Sequence, residues 1–171
     1  MLRYLFAFLM VLPICCIGCS EKLPKDMPKL HPATLTFTQG SDPLEGAIIQ
    51  LIGETPDVAA WGPTGVTDSK GAVILQTNGK YKGAPVGKYK ILVTKRTTEE
   101  HPHPEWANLP DGDPNFRKYV DESNKLKSFD MVEAKYRLLA ETPLTVEIQA
   151  GQNAQQFDVG AKVQIESRGM R

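Results

Sequence analysis

The sequence lacks most of the features that mark enzymes and nucleic-acid-binding proteins. Lysine plus arginine equals aspartate plus glutamate, at 20 each among 171 residues, so no charge excess favours nucleic acid or an acidic substrate as a partner. The three cysteines all lie within the first 19 residues, so the rest of the chain can form no disulfide and offers no thiol nucleophile. It contains no Gly-x-Ser-x-Gly elbow, no His-x-x-Glu pair and no glycine-rich phosphate loop. We therefore expect no enzymatic activity, no cofactor and no bound metal.

The first 18 residues have the composition of a secretory signal peptide. Arg3 supplies a positive charge, Tyr4 to Ile17 is almost wholly apolar, and Gly18 is small. A membrane-spanning helix needs about 20 apolar residues, and this run is shorter. We predict that residues 1–18 are a signal peptide that is removed.

The end of this signal resembles the lipobox of bacterial lipoproteins, in which a cysteine receives diacylglycerol and becomes the new N-terminus. Ile17, Gly18 and Cys19 match the motif, whereas Cys16 stands where leucine is usual. The resemblance implies lipid attachment at Cys19, with palmitate-type acyl chains, and a protein anchored in the cell envelope. By resemblance to the sorting of Gram-negative lipoproteins, Ser20 after the cysteine implies the outer membrane, on its periplasmic or its surface face. The alternative is an ordinary signal peptide that happens to contain cysteines.

The rest of the chain has the pattern of a loop-rich β protein. Residues 19–32 combine prolines and charges without apolar periodicity, which predicts an extended tether. From residue 33 to 165, short apolar runs alternate between glycine- and proline-rich turns, which predicts a β-sandwich domain. A run over 48–52 is apolar on both faces, as in a strand buried at the centre of a sheet. Residues 157–165 predict a long last strand, and 166–171 a polar tail.

Two strands form the predicted centre of the domain. One covers residues 72–77 and follows the turn Asp68-Ser-Lys-Gly71; the other covers residues 87–95. Tyr89, Ile91 and Val93 share one face of the second strand, which is the period-2 alternation of a half-buried strand. We predict that these two strands pair as a hairpin.

An insertion at residues 96–135 interrupts the strand pattern. It is polar, and its first part contains two His-Pro dipeptides, beginning at His101 and His103. Its second part predicts a short helix over 115–127, with Asp113 as the N-cap and Pro114 at the first helical position. Loops of this length in compact domains are often functional or disordered.

Several motifs in order resemble one protein family. They are Pro43-Leu-Glu-Gly-Ala47, Thr64-Gly-Val-Thr-Asp68 followed by Gly71, Gly87-Lys-Tyr-Lys-Ile-Leu-Val93, and Pro143-Leu-Thr-Val-Glu-Ile148. Over roughly residues 33–160 the chain is similar to small lipoproteins with a carboxypeptidase-regulatory-like (transthyretin-like) domain from planctomycete-type bacteria. The resemblance implies an all-β, antiparallel, seven-stranded prealbumin-like (Ig-like) sandwich with a partly helical insertion. It implies no particular molecular activity.

Three groups of residues could bind a ligand, and each has a simpler explanation. A divalent metal could bind His101 and His103 with neighbouring glutamates, although the prolines between them favour an extended polyproline-like loop. Calcium could bind a partial EF-hand pattern, although Phe116 stands where the loop needs glycine and the residues suit a turn and helix cap. A sugar could stack on aromatic rings that could equally cover sheet edges. The three sets are Glu99, Glu100, His101, His103 and Glu105; Asp111, Asp113, Asn115 and Glu122; and Trp61, Trp106, Phe116 and Tyr119.

The sequence thus favours a lipid-anchored β-sandwich of the cell envelope, of structural or protein-interaction type. Its expected partners are the membrane, through the N-terminal lipid, and an envelope protein; nucleic acid is not expected. The alternative is a carbohydrate-binding module that recognises a glycan through residues 96–127.

Overall fold

The computed structural model describes residues 24–167, and most of the regular structure in them is β-strand. Two α-helices, α1 (Pro56–Ala59) and α2 (Pro114–Ser123), and two 3₁₀ helices, Pro104–Asn108 and Ala134–Tyr136, interrupt the strands. The strands in chain order are β1 (Leu30–His31), β2 (Ala33–Gln39), β3 (Asp42–Pro43), β4 (Ile48–Gly53), β5 (Pro63–Val66), β6 (Ala72–Ile74), β7 (Gln76–Thr77), β8 (Tyr81–Lys82), β9 (Ala84–Pro85), β10 (Gly87–Thr94), β11 (Arg96–Thr98), β12 (Ser128–Asp130), β13 (Thr145–Ile148), β14 (Asn153–Asp158) and β15 (Ile165–Glu166).

The core lies between two main sheets. One sheet has the strand order β13-β10-β4-β5-β7-β8, and the other has the order β14-β2-β3 with β6 also paired to β2. Alternate side chains of these strands point inward, as period-2 geometry requires, and are buried. They include Leu35, Phe37, Ile49, Leu51, Tyr89, Ile91, Val93, Val146 and Ile148. The chain is therefore mostly β, with several antiparallel sheets that form an all-β sandwich.

One pair of strands departs from the predicted antiparallel arrangement. β14 pairs with β2 in parallel, from Asn153 opposite Ala33 to Asp158 opposite Thr38. The Phe157 ring stacks on Phe37 with the centroids 5.3 Å apart, so the last long strand and the first share one apolar cluster. Alternation along a strand identifies its buried face but does not reveal the direction of its neighbour.

The predicted central hairpin is wrong. β10 pairs with β4 on one side and with β13 on the other, and not with residues 72–77. That segment instead divides at the buried Leu75: β6 pairs with β2 in one sheet, and β7 pairs with β5 in the other. The buried face of β10 is as predicted, because Tyr89, Ile91 and Val93 are fully buried.

Two further strand predictions need correction. The run over 48–52 lies between β10 and β5, but it is not buried on both faces: the Ile48 side is outward, and Ile48 is 52% exposed. The long last strand predicted over 157–165 does not form, because β14 ends at Asp158 and the chain turns at Gly160, which has a φ of 76°. The turn at 68–71 is present, with the Asp68 carboxylate accepting hydrogen bonds from the amides of Lys70 and Ala72.

The domain extends beyond both predicted boundaries. Met27 is buried, and β1 pairs with β9, so residues 27–32 belong to the fold and not to an extended tether. At the other end Ile165 and Glu166 pair with β12, so the predicted tail at 166–171 begins inside a sheet. The predicted signal peptide at 1–18 and Cys19 lie outside the described residues.

The sandwich has two distinct ends. β1 leads into β2, and β9 leads into β10; since β1 pairs with β9, both long strands start at the same end. We call this the N-terminal end. β2 and β10 then run about 23–26 Å, at about 3.3 Å per residue, to the distal end. There the Gln39 side-chain amide donates to the carbonyls of Met131 and Ala161, and the insertion begins at Arg96.

Candidate functional site

The insertion forms a small lobe on a two-stranded stem. β11 pairs with β12, with Arg96 opposite Asp130 and Thr98 opposite Ser128. Above the stem, the amide of Glu99 donates to the carbonyl of Lys127 at 2.9 Å, and residues 99–127 form what we call the lobe. No residue from 97 to 127 is fully buried, so the lobe contributes nothing to the core of the sandwich.

Helix α2 forms where the sequence predicts it. The Asp113 carboxylate accepts a hydrogen bond from the Asn115 amide at 2.8 Å, and Pro114 takes the first helical position, where its missing N–H costs nothing. The helix ends at Ser123, earlier than the predicted 127. Within residues 24–167 its principal packing partner is the 3₁₀ helix Pro104–Asn108. Contacts among its own side chains therefore stabilise most of the lobe.

Four rings form the centre of the lobe. His103 stacks on Trp106 with the centroids 3.9 Å apart and the planes at 16°, and His101 lies against Tyr119 at 4.1 Å and 34°. The two imidazoles are 6.4 Å apart, so the rings form a continuous row. Lys118 places its ammonium 5.3 Å from the centroid of the Trp106 ring, a cation–π distance. The sequence singled out these residues as separate candidates, and the structure brings them together.

The hydrogen bonds of His101 make it a poor metal ligand. Its Nδ1 accepts a hydrogen bond from the His103 amide at 2.9 Å, so Nδ1 carries no proton and the proton sits on Nε2. Nε2 then donates to the carbonyl of Tyr119 at 3.2 Å. Both nitrogens are engaged, and the side chain is only 6% exposed. Within residues 24–167 no three His, Cys, Asp or Glu side chains are grouped so that they could hold a metal ion.

The partial EF-hand pattern does not converge on one point either. Asp113 caps the start of α2, whereas Glu122 lies near its end, about 13 Å away along the axis at 1.5 Å per residue. Glu122 faces the lobe interior, with Oε2 3.9 Å from His101 Nε2 and Oε1 3.9 Å from Lys118 Nζ. These residues cap and pack a helix.

The proposed sugar platform is only partly assembled. Trp106 and Tyr119 lie in the ring row, and Phe116 is half-buried on the same helix as Tyr119. His103 covers one face of the Trp106 indole, so that face cannot receive a sugar ring. Trp61 follows α1 on the sandwich and shares no ring contact with the lobe among the described residues. A sugar could therefore use at most one open indole face and its polar surroundings.

The stem contains an ion cluster around a buried carboxylate, which the sequence analysis missed. The Asp130 side chain is 6% exposed, and its two oxygens each lie 2.9 Å from a guanidinium, that of Arg96 and that of Arg137. Burial alone would raise the pKa of Asp130, but the Arg96 hydrogen bond and the charges of Arg137 and Arg96 outweigh it and lower the pKa. The cluster joins β11, β12 and the residue that follows the 3₁₀ helix Ala134–Tyr136, at the base of the lobe. Only the three-dimensional pairing of 96 with 130 reveals it.

The outer face of the larger sheet carries an open apolar cleft of about 510 Å³. Ile52, Gly53, Leu139 and Ala140 line it, and Lys90 crosses it by donating to the Leu139 carbonyl at 3.1 Å. Glu54 completes the lining, which contains no histidine, cysteine, serine or aspartate.

Comparison with known protein families and structures does not assign a function to the site. Among residues 24–167, no helix has the length and apolar character that crossing a bilayer requires. The chain matches no family model, and no curated protein or solved structure is significantly similar to it.

Proposed function

We propose that this protein is a lipid-anchored β-sandwich of the cell envelope that acts by binding another envelope protein or by packing into an assembly. Cys19 would carry the lipid, and the fold would be a seven-stranded prealbumin-like (Ig-like) sandwich of the carboxypeptidase-regulatory-like type. Catalytic activity is not part of this proposal.

One observation carries this proposal. The described chain starts at the N-terminal end of the sandwich, whereas the stem of the lobe begins at the distal end, about 23–26 Å away at the rise of a β-strand. A protein held by its N-terminus would therefore present the lobe away from its anchor. The lobe is also polar, self-packed and independent of the core, which suits a recognition element more than a structural one.

Two variants test the two parts of the proposal. For the anchor, cells are labelled with a clickable fatty acid; the wild type should be marked and Cys19→Ser should not. Equal labelling of Cys19→Ser would refute lipidation at this position.

For the lobe, native protein is pulled down from solubilised membranes beside a variant in which a short Gly-Ser turn replaces residues 99–127. Partners that depend on the lobe should be lost from the variant. Partners retained equally by both proteins would place the interaction on the sandwich instead.

A glycan-binding role is the second candidate, supported by the clustering of Trp106 and Tyr119 in the lobe. A glycan array with the wild type and Trp106→Ala decides between the two. A glycan signal that disappears in Trp106→Ala would favour carbohydrate recognition. The absence of any signal, with a lobe-dependent protein partner in the pull-down, would favour protein interaction.

A further inference from the structure

The longest strand with an open edge is β14. Among residues 24–167 it pairs only with β2, and every other strand at the end of a sheet has at most four residues. Native edge strands are usually protected from further pairing by lysine, proline, a bulge or shortness. β14 has six residues, Asn-Ala-Gln-Gln-Phe-Asp, without lysine or proline, and its single charge is on the last residue, Asp158. This edge is therefore open to pairing with another strand.

The pairing with β2 fixes which backbone groups of β14 point outward. At the two ends of the strand, the amides of Asn153 and Val159 donate to carbonyls on the β2 side, at 3.0 and 2.9 Å. In a parallel pair, successive residues direct their amide and carbonyl to opposite sides, so every second residue faces away from β2. Within residues 24–167, nothing forms a hydrogen bond with the backbone of these outward residues. They are Ala154, Gln156 and Asp158.

The edge is held in strand geometry by its own chain. The Asp158 carboxylate accepts hydrogen bonds from the amides of Gly40 and Gly160, each at 3.0 Å. The Phe157 ring is fixed by its stacking on Phe37. Residues 154–156 remain exposed. A partner strand would therefore meet a preformed edge and would not have to order it.

A second copy of the same strand can pair with all of these groups. When two β14 strands lie antiparallel about a two-fold axis at Gln156, that residue faces its own copy, and Ala154 faces Asp158 of the other molecule. In hydrogen-bonded pairs of this kind each residue uses both its amide and its carbonyl, so no outward group is left over. Like charges are not opposed, because the aspartate faces an alanine. The contact uses one surface on both molecules, so it closes at two copies.

We propose that the protein forms a symmetric dimer through β14, in which the β14-β2-β3 sheets of two copies join into one continuous sheet. This inference goes beyond the proposed function, because it needs neither a lipid on Cys19 nor a partner for the lobe. A contact of one strand is small beside the roughly 1,600 Å² of a standard stable interface. The dimer is therefore expected to exchange with the monomer as the protein concentration changes.

Cysteine crosslinking of the purified full-length protein tests the register. Hydrogen-bonded neighbours in an antiparallel pair have Cα atoms about 5.5 Å apart, which lies within the range of a disulfide. Gln156→Cys should therefore form a disulfide-linked dimer under mild oxidation. Ala154→Cys, at an equally exposed position, is the control and should not, because its own copy would lie about 13 Å further along the strand. The wild type gives the background from the cysteines of the first 19 residues.

Sedimentation velocity in detergent, over a range of protein concentrations, measures the association. Gln156→Pro removes an outward amide that the pairing with β2 does not use, and Gln156→Lys places two ammonium groups opposite each other. Each change should weaken dimerisation, the proline by about tenfold or more because it removes one hydrogen bond from each copy. The control Gln152→Lys adds the same charge at an exposed residue outside the strand and should associate like the wild type. Circular dichroism of all variants checks that the fold is intact.

Three outcomes would overturn the proposed dimer. A wild type that stays monomeric at every concentration would leave the β14 edge to a strand of another protein. Association that is equal in the wild type and in both position-156 variants would place the contact elsewhere on the molecule. Disulfide formation as fast at position 154 as at position 156 would exclude the two-fold register. Neither experiment alters Cys19 or the lobe, so each of these results would leave the proposed function unaffected.

Discussion

The hydroxyl of Tyr89 donates a hydrogen bond to the carbonyl of Pro85 at 2.8 Å inside the sandwich. Tyr89 is fully buried on β10, and Pro85 belongs to β9, the partner of β1. One phenol therefore links the core of the larger sheet to the N-terminal end of the domain. Burial, with a smaller contribution from the charge of Asp57, raises the pKa of Tyr89 to about 12.

The raised pKa of Tyr89 predicts a loss of stability at alkaline pH. The unfolded phenol ionises near its usual pKa of about 10, whereas the folded one keeps its proton to about 12. The stabilising effect of the neutral phenol is complete below pH 10 and is lost as the pH rises from 10 to 12. In Tyr89→Phe the free energy of unfolding should not fall between pH 10 and 12 for this reason. The same variant should be less stable by about 0.5–1.5 kcal/mol at neutral pH, because the hydrogen bond is lost.

Urea unfolding at a series of pH values measures this effect. Tyr81→Phe, at a half-exposed tyrosine on β8, is the control and should keep the wild-type slope. The same alkaline slope in Tyr89→Phe and in the wild type would contradict the prediction.

The Asp130 cluster predicts a loss of stability at acid pH. Because the folded pKa of Asp130 is lowered, its contribution is present above the unfolded pKa of about 3.9 and is lost as the pH falls through the folded value. Asp130→Asn should cost about 1.5–3 kcal/mol at neutral pH, the range for hydrogen bonds to charged groups. Below about pH 4 the difference between variant and wild type should shrink. The exposed Asp121→Asn serves as the control, and a neutral-pH cost no greater than that of the control would show that the cluster contributes little.

Three glycines predict a graded series of stability losses. Gly71 has a φ of 73°, and a Cβ there would clash with the Phe37 carbonyl oxygen. Gly79 has a φ of 66° but open space around it, and Gly112 has neither constraint. Replacing Gly79 by alanine should cost about 1–2 kcal/mol, which is the left-handed strain alone. Replacing Gly71 should cost more than that, and Gly112→Ala should be nearly neutral. Chemical denaturation gives the order, and equal losses at 71 and 79 would show that the clash relaxes freely.

We predict that the domain remains folded when the lobe is deleted. Thr98 and Ser128 are opposite each other in the stem ladder, so a turn of two to five residues can replace residues 99–127 at a hairpin end. The deletion variant should unfold cooperatively and keep a β-type circular dichroism spectrum, because no residue of 97–127 is buried. Loss of cooperative unfolding would mean that Trp106, Phe116 and Tyr119 support the core.

We predict that disrupting the row of four rings destabilises the lobe and leaves the stability of the sandwich unchanged. Trp106→Ala removes the partner of His103 and Lys118 and should expose residues 99–127 to limited proteolysis. The free energy of unfolding of the sandwich, measured by urea denaturation, should stay within about 0.5 kcal/mol of the wild type, as for a surface change. The exposed Asn108→Ala should leave cleavage in the lobe at the wild-type rate. Cleavage of Trp106→Ala at the wild-type rate would show that the row does not hold the lobe.

Local patterns in the sequence predicted local structure well. The turn at Asp68, the cap at Asp113 and the buried face of β10 each depend on residues close in sequence, and each is present. Strand partners depend on distant residues, so the hairpin of 72–77 with 87–95 was wrong and the parallel neighbour of β2 was not foreseen. The Asp130 cluster and the contact of His101 with Tyr119 also join residues that are distant in sequence, so the sequence did not predict them. The row of rings could have been suspected only from the density of aromatic and imidazole groups in a polar insertion.

The parallel pairing of β2 with β14 also sets the order in which the protein can fold. His31, next to β2, and Gly151, next to β14, are 120 residues apart in the chain, yet they share a hydrogen bond. During synthesis, the first strand therefore has to wait for nearly the whole chain before its sheet can close. Domains dominated by such distant contacts fold in milliseconds to seconds, more slowly than helical bundles of similar stability. Until β14 arrives, one edge of β2 stays unpaired and Phe37 lacks the Phe157 ring that stacks on it, which makes the emerging chain a natural client for chaperones.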